Sequence, residues 1–285
     1  MIDKQEVMEH ARLFNLSPNT IEKDYVLNWL LAGSAESVEL KQQWIFKGGT
    51  CLKKCYFKEY RFSEDLDFTI TNPSHLNEEF LRVTFYKIAE NIHEYSGIEI
   101  PKEKIAFEVY KNTRGQLSVQ GKIAYRGPMG RRSSEPTVKL DLNWDEILVE
   151  PPVLREIHHP YNDQAFNRVK VLTYSIEEIF AEKLRALVQR MSPRDLYVII
   201  HLYRNKRWQP NRDKVLTILK KKCEFKSVDM PTFSLVNSLS AKEDLITDWE
   251  NMLANQIAGL EPYSYYWEQL SHIFSWLYSV RNCEN

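Results

Sequence analysis

Two aspartates, Asp65 and Asp67, head an apolar run, Leu66-Asp67-Phe68-Thr69-Ile70, and this short stretch constrains the chain more than any other. Read as a strand, it alternates faces, so Asp65 and Asp67 point the same way together with Ser63, while Leu66 and Phe68 point into a core. Two carboxylates on one face repel each other unless they share a proton or a cation, and hard oxygen ligands favour Mg²⁺ or Mn²⁺. An Asp-x-Asp pair also occurs as a plain polar strand edge, so the pair alone leaves both readings open.

The preceding residues narrow the choice. Trp44-Ile45-Phe46 reads as a short buried strand, Gly48-Gly49 as a tight backbone approach, and Thr50 as the N-cap of a helix through Tyr56. Glycines at a strand-to-helix turn expose backbone N–H groups where the helix dipole favours an anion, which suits a nucleotide phosphate. No G-x-x-x-x-G-K-[ST] run is present, which argues against a P-loop NTPase.

A chain of 285 residues with 43% hydrophobic residues can bury a sizeable core as one large domain or two small ones. Its formal net charge of −1 gives no global pull towards nucleic acid, so any such contact must be a local patch. Cys51, Cys55, Cys223 and Cys283 lack zinc-type pairing and read as reduced core thiols. No apolar run is long enough to span a membrane and no signal-peptide pattern opens the chain, so a cytoplasmic protein is expected.

Lys4 to Phe14 reads as a helix, and Ser17-Pro18 caps a second one to about Ala35, whose Lys23-Asp24 pair looks like a solvated face. A helix is expected over Ser74 to Tyr95, with Leu76, Phe80, Val83 and Ile88 on its apolar side. Strands follow at Ile105–Tyr110, Leu117–Tyr125 and Thr137–Asn143, the last offering Asp141 on its polar face with Asp145 and Glu146 as substitutes. Between the last two strands, Arg126 to Ser134 holds three arginines and no acid, a candidate clamp for phosphates. Proline-rich residues from Pro151 to His158-His159-Pro160 suggest a domain boundary near 160.

Everything after Val169–Leu172 reads as helical. Ser175 opens a capping box, and Lys183 falls on or beside the apolar face of that helix, so its ammonium needs a partner such as Asp195 in the first turn of the next helix. Arg204 to Lys226 holds nine Lys or Arg against two acids, including Lys220-Lys221-Lys222, beside Trp208. That local charge could contact RNA phosphates, or it could be a solvated helix face. Tyr263, Tyr266, Trp267, Leu270, Phe274 and Leu277 lie at helical spacing and read as core.

The Gly-Gly turn followed by an Asp-x-Asp strand resembles the layout of polymerase-β-like nucleotidyltransferases. Glu22-Lys23-Asp24-Tyr25, Phe46-Lys47-Gly48-Gly49-Thr50, Arg61-Phe62-Ser63-Glu64-Asp65-Leu66-Asp67, Ala181-Glu182-Lys183-Leu184 and Arg194-Asp195-Leu196-Tyr197 narrow the resemblance to the AbiEii/AbiGii toxin nucleotidyltransferases, in that family's order. The resemblance implies an α+β fold: a nucleotidyltransferase domain over residues 1–160, with a mixed sheet and flanking helices, then an α-helical domain over 161–285, with the active site in the cleft between them. It further implies transfer of a nucleoside monophosphate from an NTP, with Mg²⁺ or Mn²⁺ held by Asp65, Asp67 and Asp141. Lys47, Gly48, Gly49, Thr50, Lys53, Arg61 and Ser63 would bind the NTP, Lys183, oriented by Asp195, would face its phosphates, and Lys23 and Asp24 would brace the site. By the same resemblance the acceptor is a tRNA 3′ end or another RNA, and the protein is a toxin with a cognate antitoxin. Many relatives carry a second Asp three residues after Asp195, where this chain has Val198. The alternatives are transfer to a protein hydroxyl or a small molecule, and a binding protein that keeps the fold without catalysis.

Overall fold

Side-chain caps start the first two helices where the sequence places them. Asp3 and Ser17 accept hydrogen bonds from the Glu6 and Thr20 amides, opening α1 (Lys4–Phe14) and α2 (Pro18–Glu36). The structure, a computed structural model, describes residues 1–131, 135–163, 168–208 and 210–279.

The chain continues through β1 (Trp44–Lys47) and α3 (Gly48–Cys51), which runs on as a π turn over Leu52–Tyr56, into β2 (Asp65–Ile70). Helix α4 (Glu78–Ser96) precedes β3 (Ile105–Lys111), β4 (Leu117–Ala124), β5 (Thr137–Asn143), β6 (Val153–Glu156) and β7 (Lys170–Thr173). These strands form one seven-stranded mixed sheet in the order β3-β4-β5-β2-β1-β7-β6. Pairs β2/β5 and β1/β7 are parallel and the other four are antiparallel. Trp44, Phe46, Phe68 and Phe85 pack ring to ring in the core beneath it.

Three local expectations change. Thr50 is not a cap, because the helix begins at Gly48 with Lys47 as its N-cap residue. The helix expected from Ser74 begins at Glu78, capped by Asn77, since Pro73–His75 forms a separate 3-10 turn on Asn72. Its buried face is Leu81, Phe85, Ile88 and Ile92, and Val83 is exposed. The proline-rich stretch also contains β6, whose four residues pair with β7 at the sheet edge. Cys51 and Cys223 are buried free thiols, Cys55 is a half-buried one in the π turn, and Cys283 lies outside the described residues.

Chain contacts separate two units. The first comprises Met1–Glu146 with Pro152–Tyr174; the second comprises Ile147–Pro151 and the chain from Ser175 onward. The division therefore falls after Tyr174, beyond residue 160, because β6 and β7 complete the sheet of the first unit. The second unit is helical among its described residues: α5 (Ile176–Arg190), α6 (Pro193–Arg204), α7 (Arg212–Lys226), α8 (Phe233–Ser238), α9 (Lys242–Leu253), α10 (Tyr263–Trp267) and α11 (Leu270–Tyr278). The architecture is thus α+β, a mixed sheet with flanking helices and a helical C-terminal region.

A buried ionic cluster ties Ile147–Glu150 into the second unit. Lys222 Nζ lies 2.8 Å from Glu178 Oε1 and donates to the Ile147 carbonyl at 2.9 Å. The Glu178 carboxylate also accepts the Val149 and Glu150 amides at 3.1 Å each. Lys222 is therefore unavailable to RNA, whereas Lys220 and Lys221 are exposed on α7. Lys222→Met is expected to strand the Glu178 charge and cost about 3–5 kcal/mol, since breaking a buried pair leaves one ion uncompensated. Urea unfolding followed by circular dichroism checks this, and an unchanged midpoint would rule out the stabilising role.

Candidate active site

Sheet register lines up one row of polar side chains across four strands. Lys47 on β1 is opposite Asp67 on β2, Asp67 is opposite Asp141 on β5, and Asp141 is opposite Gln120 on β4. Directly opposed residues share a face and stand about 5 Å apart, so Asp67 and Asp141 are nearest neighbours between a lysine and an amide. Gln120 Nε2 donates to Asp141 Oδ1 at 3.3 Å. Asp65, on the same face of β2, is opposite Lys139. Partial burial and the negative charge of Asp67 push the Asp141 carboxyl above its ordinary range, with Gln120, Lys139 and Lys47 opposing the shift.

The glycine turn is pressed onto this row. Gly48 adopts φ +79°, and a Cβ there would sit 2.3 Å from Asp67 Oδ2, so both the backbone conformation and the available space require glycine. At Gly49 a Cβ would lie 2.6 Å from Arg61 Nη2 and 3.6 Å from Ser63 Oγ. The turn thus brings Lys47, Gly48, Gly49, Arg61, Ser63 and Asp67 together. Arg61 is 6% exposed, donates to the Phe62 carbonyl at 3.1 Å and lies over the Tyr60 ring. Lys47 is also 6% exposed, with Nζ 5.7 Å from the centre of the Tyr174 ring.

Two residues expected to bind the NTP have other partners. The Thr50 hydroxyl donates to the Asp65 carbonyl, which fastens α3 to β2. Lys53 Nζ donates to the Lys58 carbonyl at 3.1 Å and lies 4.0 Å from the centre of the Phe62 ring, and burial pulls it down to about 8. Of the possible substitute acids, Asp145 is buried and tied to Asn112 and Arg114, at 2.9 and 3.2 Å. Among the described residues, no three His, Cys, Asp or Glu side chains gather as a ready-made metal cage. What the sheet supplies is an adjacent carboxylate pair with Asp65 on the same face, an all-oxygen set suited to a hard cation.

The second unit holds its own ionic centre. Asp195, fully buried, lies 2.9 Å from Lys183 Nζ and receives the Arg190 fork at 2.7 Å from Nε and 2.9 Å from Nη2. Burial pulls its carboxyl up, but Lys183 and Arg190 outweigh that and hold it at about 2. Val198, on the same helix, is buried core.

Residue pattern alone does not show several supports, although the resemblance gives Lys23 and Asp24 a bracing role. Asp24 is not solvated: it is 1% exposed, 2.7 Å from Lys54 of the π turn and hydrogen-bonded by the Tyr161 hydroxyl at 2.8 Å. Its neighbours are paired as well. Lys23 pairs with Glu64 at 2.9 Å, beside Asp65, and buried Glu22 receives the Met129 amide and Arg131. The arginine loop is correspondingly anchored, with Arg126 paired to Glu99 and Glu135; Arg132, Ser133 and Ser134 lie outside the described residues. Arg190 and Gln120 had no motif to mark them. Strand alternation puts Gln120 on the outward phase of β4, and that was the only available sign.

A family model described as nucleotidyl transferase AbiEii toxin, type IV toxin–antitoxin system, matches residues 29–277. MenT4, a nucleotidyltransferase toxin from Mycobacterium tuberculosis, has a similar fold: TM-score 0.68 at 19% identity, covering 99% of this chain and 91% of that one. JHP933 from Helicobacter pylori gives a TM-score of 0.57 at 17% identity, covering 92% of this chain and 93% of the other. No curated protein matches the sequence.

Proposed function

Because this chain belongs to the AbiEii family of nucleotidyltransferase toxins of type IV toxin–antitoxin systems, we propose that it moves a nucleoside monophosphate from an NTP to an RNA, most specifically a tRNA 3′ end. A bond forms between the acceptor hydroxyl oxygen, which gives up its proton to water, and the α-phosphorus as the bridging bond to the β-phosphate breaks, releasing pyrophosphate. The observation that carries this reading is the Lys47–Asp67–Asp141 row beneath the Gly48-Gly49 turn.

In this reading the backbone amides at Gly48 and Gly49, with Ser63 and the Arg61 guanidinium behind them, receive the triphosphate. Asp67 and Asp141, joined by Asp65, would hold Mg²⁺ or Mn²⁺. The ion supplies charge neutralisation at the phosphates and activation of the attacking oxygen. Lys47 balances the carboxylate pair from the other side, and Gln120 fixes the Asp141 carboxylate. Lys183, with Asp195 orienting its ammonium, is assigned to the triphosphate charge. Lys220 and Lys221 are assigned to acceptor phosphates.

A toxin of this kind has a cognate antitoxin as partner. No helix among the described residues is long and apolar enough to cross a membrane. We place the protein in the cytoplasm, where NTPs and tRNA are found.

The test is incubation of the protein with each α-labelled NTP and Mg²⁺ beside total tRNA, cell protein and a small-molecule extract. Label is expected in tRNA, removable by a 3′ exonuclease. Label in protein or in a small molecule would overturn the acceptor, and no label in any fraction would count against catalysis.

A further inference from the structure

A recess of about 380 Å³ opens in the first unit, between the π turn with its following residues, Lys53 to Lys58, and the segment from Glu156 at the end of β6 to His159. Of the residues expected to bind the NTP or the metal, Lys53 lines it, and Lys47, Gly48, Gly49, Thr50, Arg61, Ser63, Asp65, Asp67 and Asp141 do not. Its walls collect positive charge. Lys53, Lys58 and Arg168 face it, and Lys54 is already paired with Asp24. Among the described residues, Glu156 is the only acid lining it.

Rings line the same walls. Tyr56, Phe57 and His158 border the recess, with Arg155 stacked on Tyr56 at 4.5 Å. Burial and the nearby Lys58, Lys54 and Lys53 charges push His158 down to about 4, so at neutral pH it is an uncharged ring set in a positive field. A concave site of this volume is in the range for a small organic ligand. Cations that match a phosphate, beside rings that can stack on a base, make the chemistry of a nucleotide.

We propose that this recess binds one nucleotide unit, its phosphate held by Lys58 and Arg168 and its base against His158, separately from the NTP consumed in transfer. The unit is either a free nucleotide or a nucleotide within an RNA strand. The proposal does not depend on which acceptor is modified.

The test uses the full chain with its transfer site saturated by a non-hydrolysable NTP and Mg²⁺. Isothermal titration then adds 5′-AMP, a short single-stranded oligoadenylate, or inorganic phosphate. Lys58 and Arg168 are exposed, so Lys58→Glu and Arg168→Glu should fold normally. A saturable one-to-one event is expected with AMP, with the oligomer, or with both, weakened at least tenfold in either variant while NTP affinity stays unchanged. AMP binding would identify a free nucleotide as sufficient; binding of the oligomer alone would identify a strand. No event with either ligand, or an event insensitive to both variants, would overturn the proposal. So would inorganic phosphate binding as tightly as AMP and the oligomer, since the site would then recognise only an anion.

Discussion

Asp67→Asn is expected to lower nucleotidyl transfer on the order of a thousandfold while the protein stays folded, because cation binding and charge balance at the row need the carboxylate and not its shape. The variant also has a readout independent of activity. The Asp141 carboxyl is raised by burial and by the Asp67 charge, so removing that charge should bring its titration back down, visible by NMR on carboxyl carbons. A carboxyl raised in the folded state binds more protons folded than unfolded, so its contribution to stability declines as pH rises through the ordinary carboxylate range to the raised value. Asp67→Asn should flatten that decline and melt at or above the wild-type temperature near pH 7. An Asp67→Asn protein with normal transfer, or with unmoved Asp141 titration, would break the link between this row and the chemistry.

Lys183→Met is expected to reduce transfer about a hundredfold or more with little change in thermal midpoint. The structure explains why the two effects should separate. Removing the ammonium leaves Asp195 held by both Arg190 contacts, so the buried carboxylate keeps a cation. Asp195 titrates at about 2 in the fold, so its stabilising contribution is present above about pH 4 and is lost only as pH falls towards 2. At a neutral assay pH that contribution is complete in the wild type, so an activity loss is not an ionisation artefact. Near-normal transfer by well-folded Lys183→Met would end the catalytic assignment; a large drop in midpoint would make the lysine structural.

Local chemistry carried much of the architecture into the sequence. Asp3 and Ser17 capped their helices, Ser175 opened α5, and alternation along β2 put Asp65 and Asp67 on one face, because each depends on residues within a few positions. The helical phase of α7 also holds a sign of burial. Val215, Ile218, Leu219, Lys222 and Cys223 follow the buried spacing, so Lys222 is the interior member of a three-lysine run. A charge on an apolar phase asks for a buried partner, but nothing nearby in the chain says that Glu178 provides it.

What only the tertiary structure decided is which distant segments meet. Parallel pairing of β2 with β5 makes Asp67 and Asp141 neighbours, and a register shift by one residue would have turned Asp141 to the other face. Asp24 reads as a solvated helix position until Lys54 and Tyr161, remote in sequence, cover it and give the carboxylate its partners. Strand β6 is four residues in a proline-rich stretch and exists because β7 offers it a free edge. Sequence pattern fixes which side of an element is apolar. Burial of a charge depends on desolvation set against pairing, and that balance is struck only when the partner arrives from elsewhere in the chain.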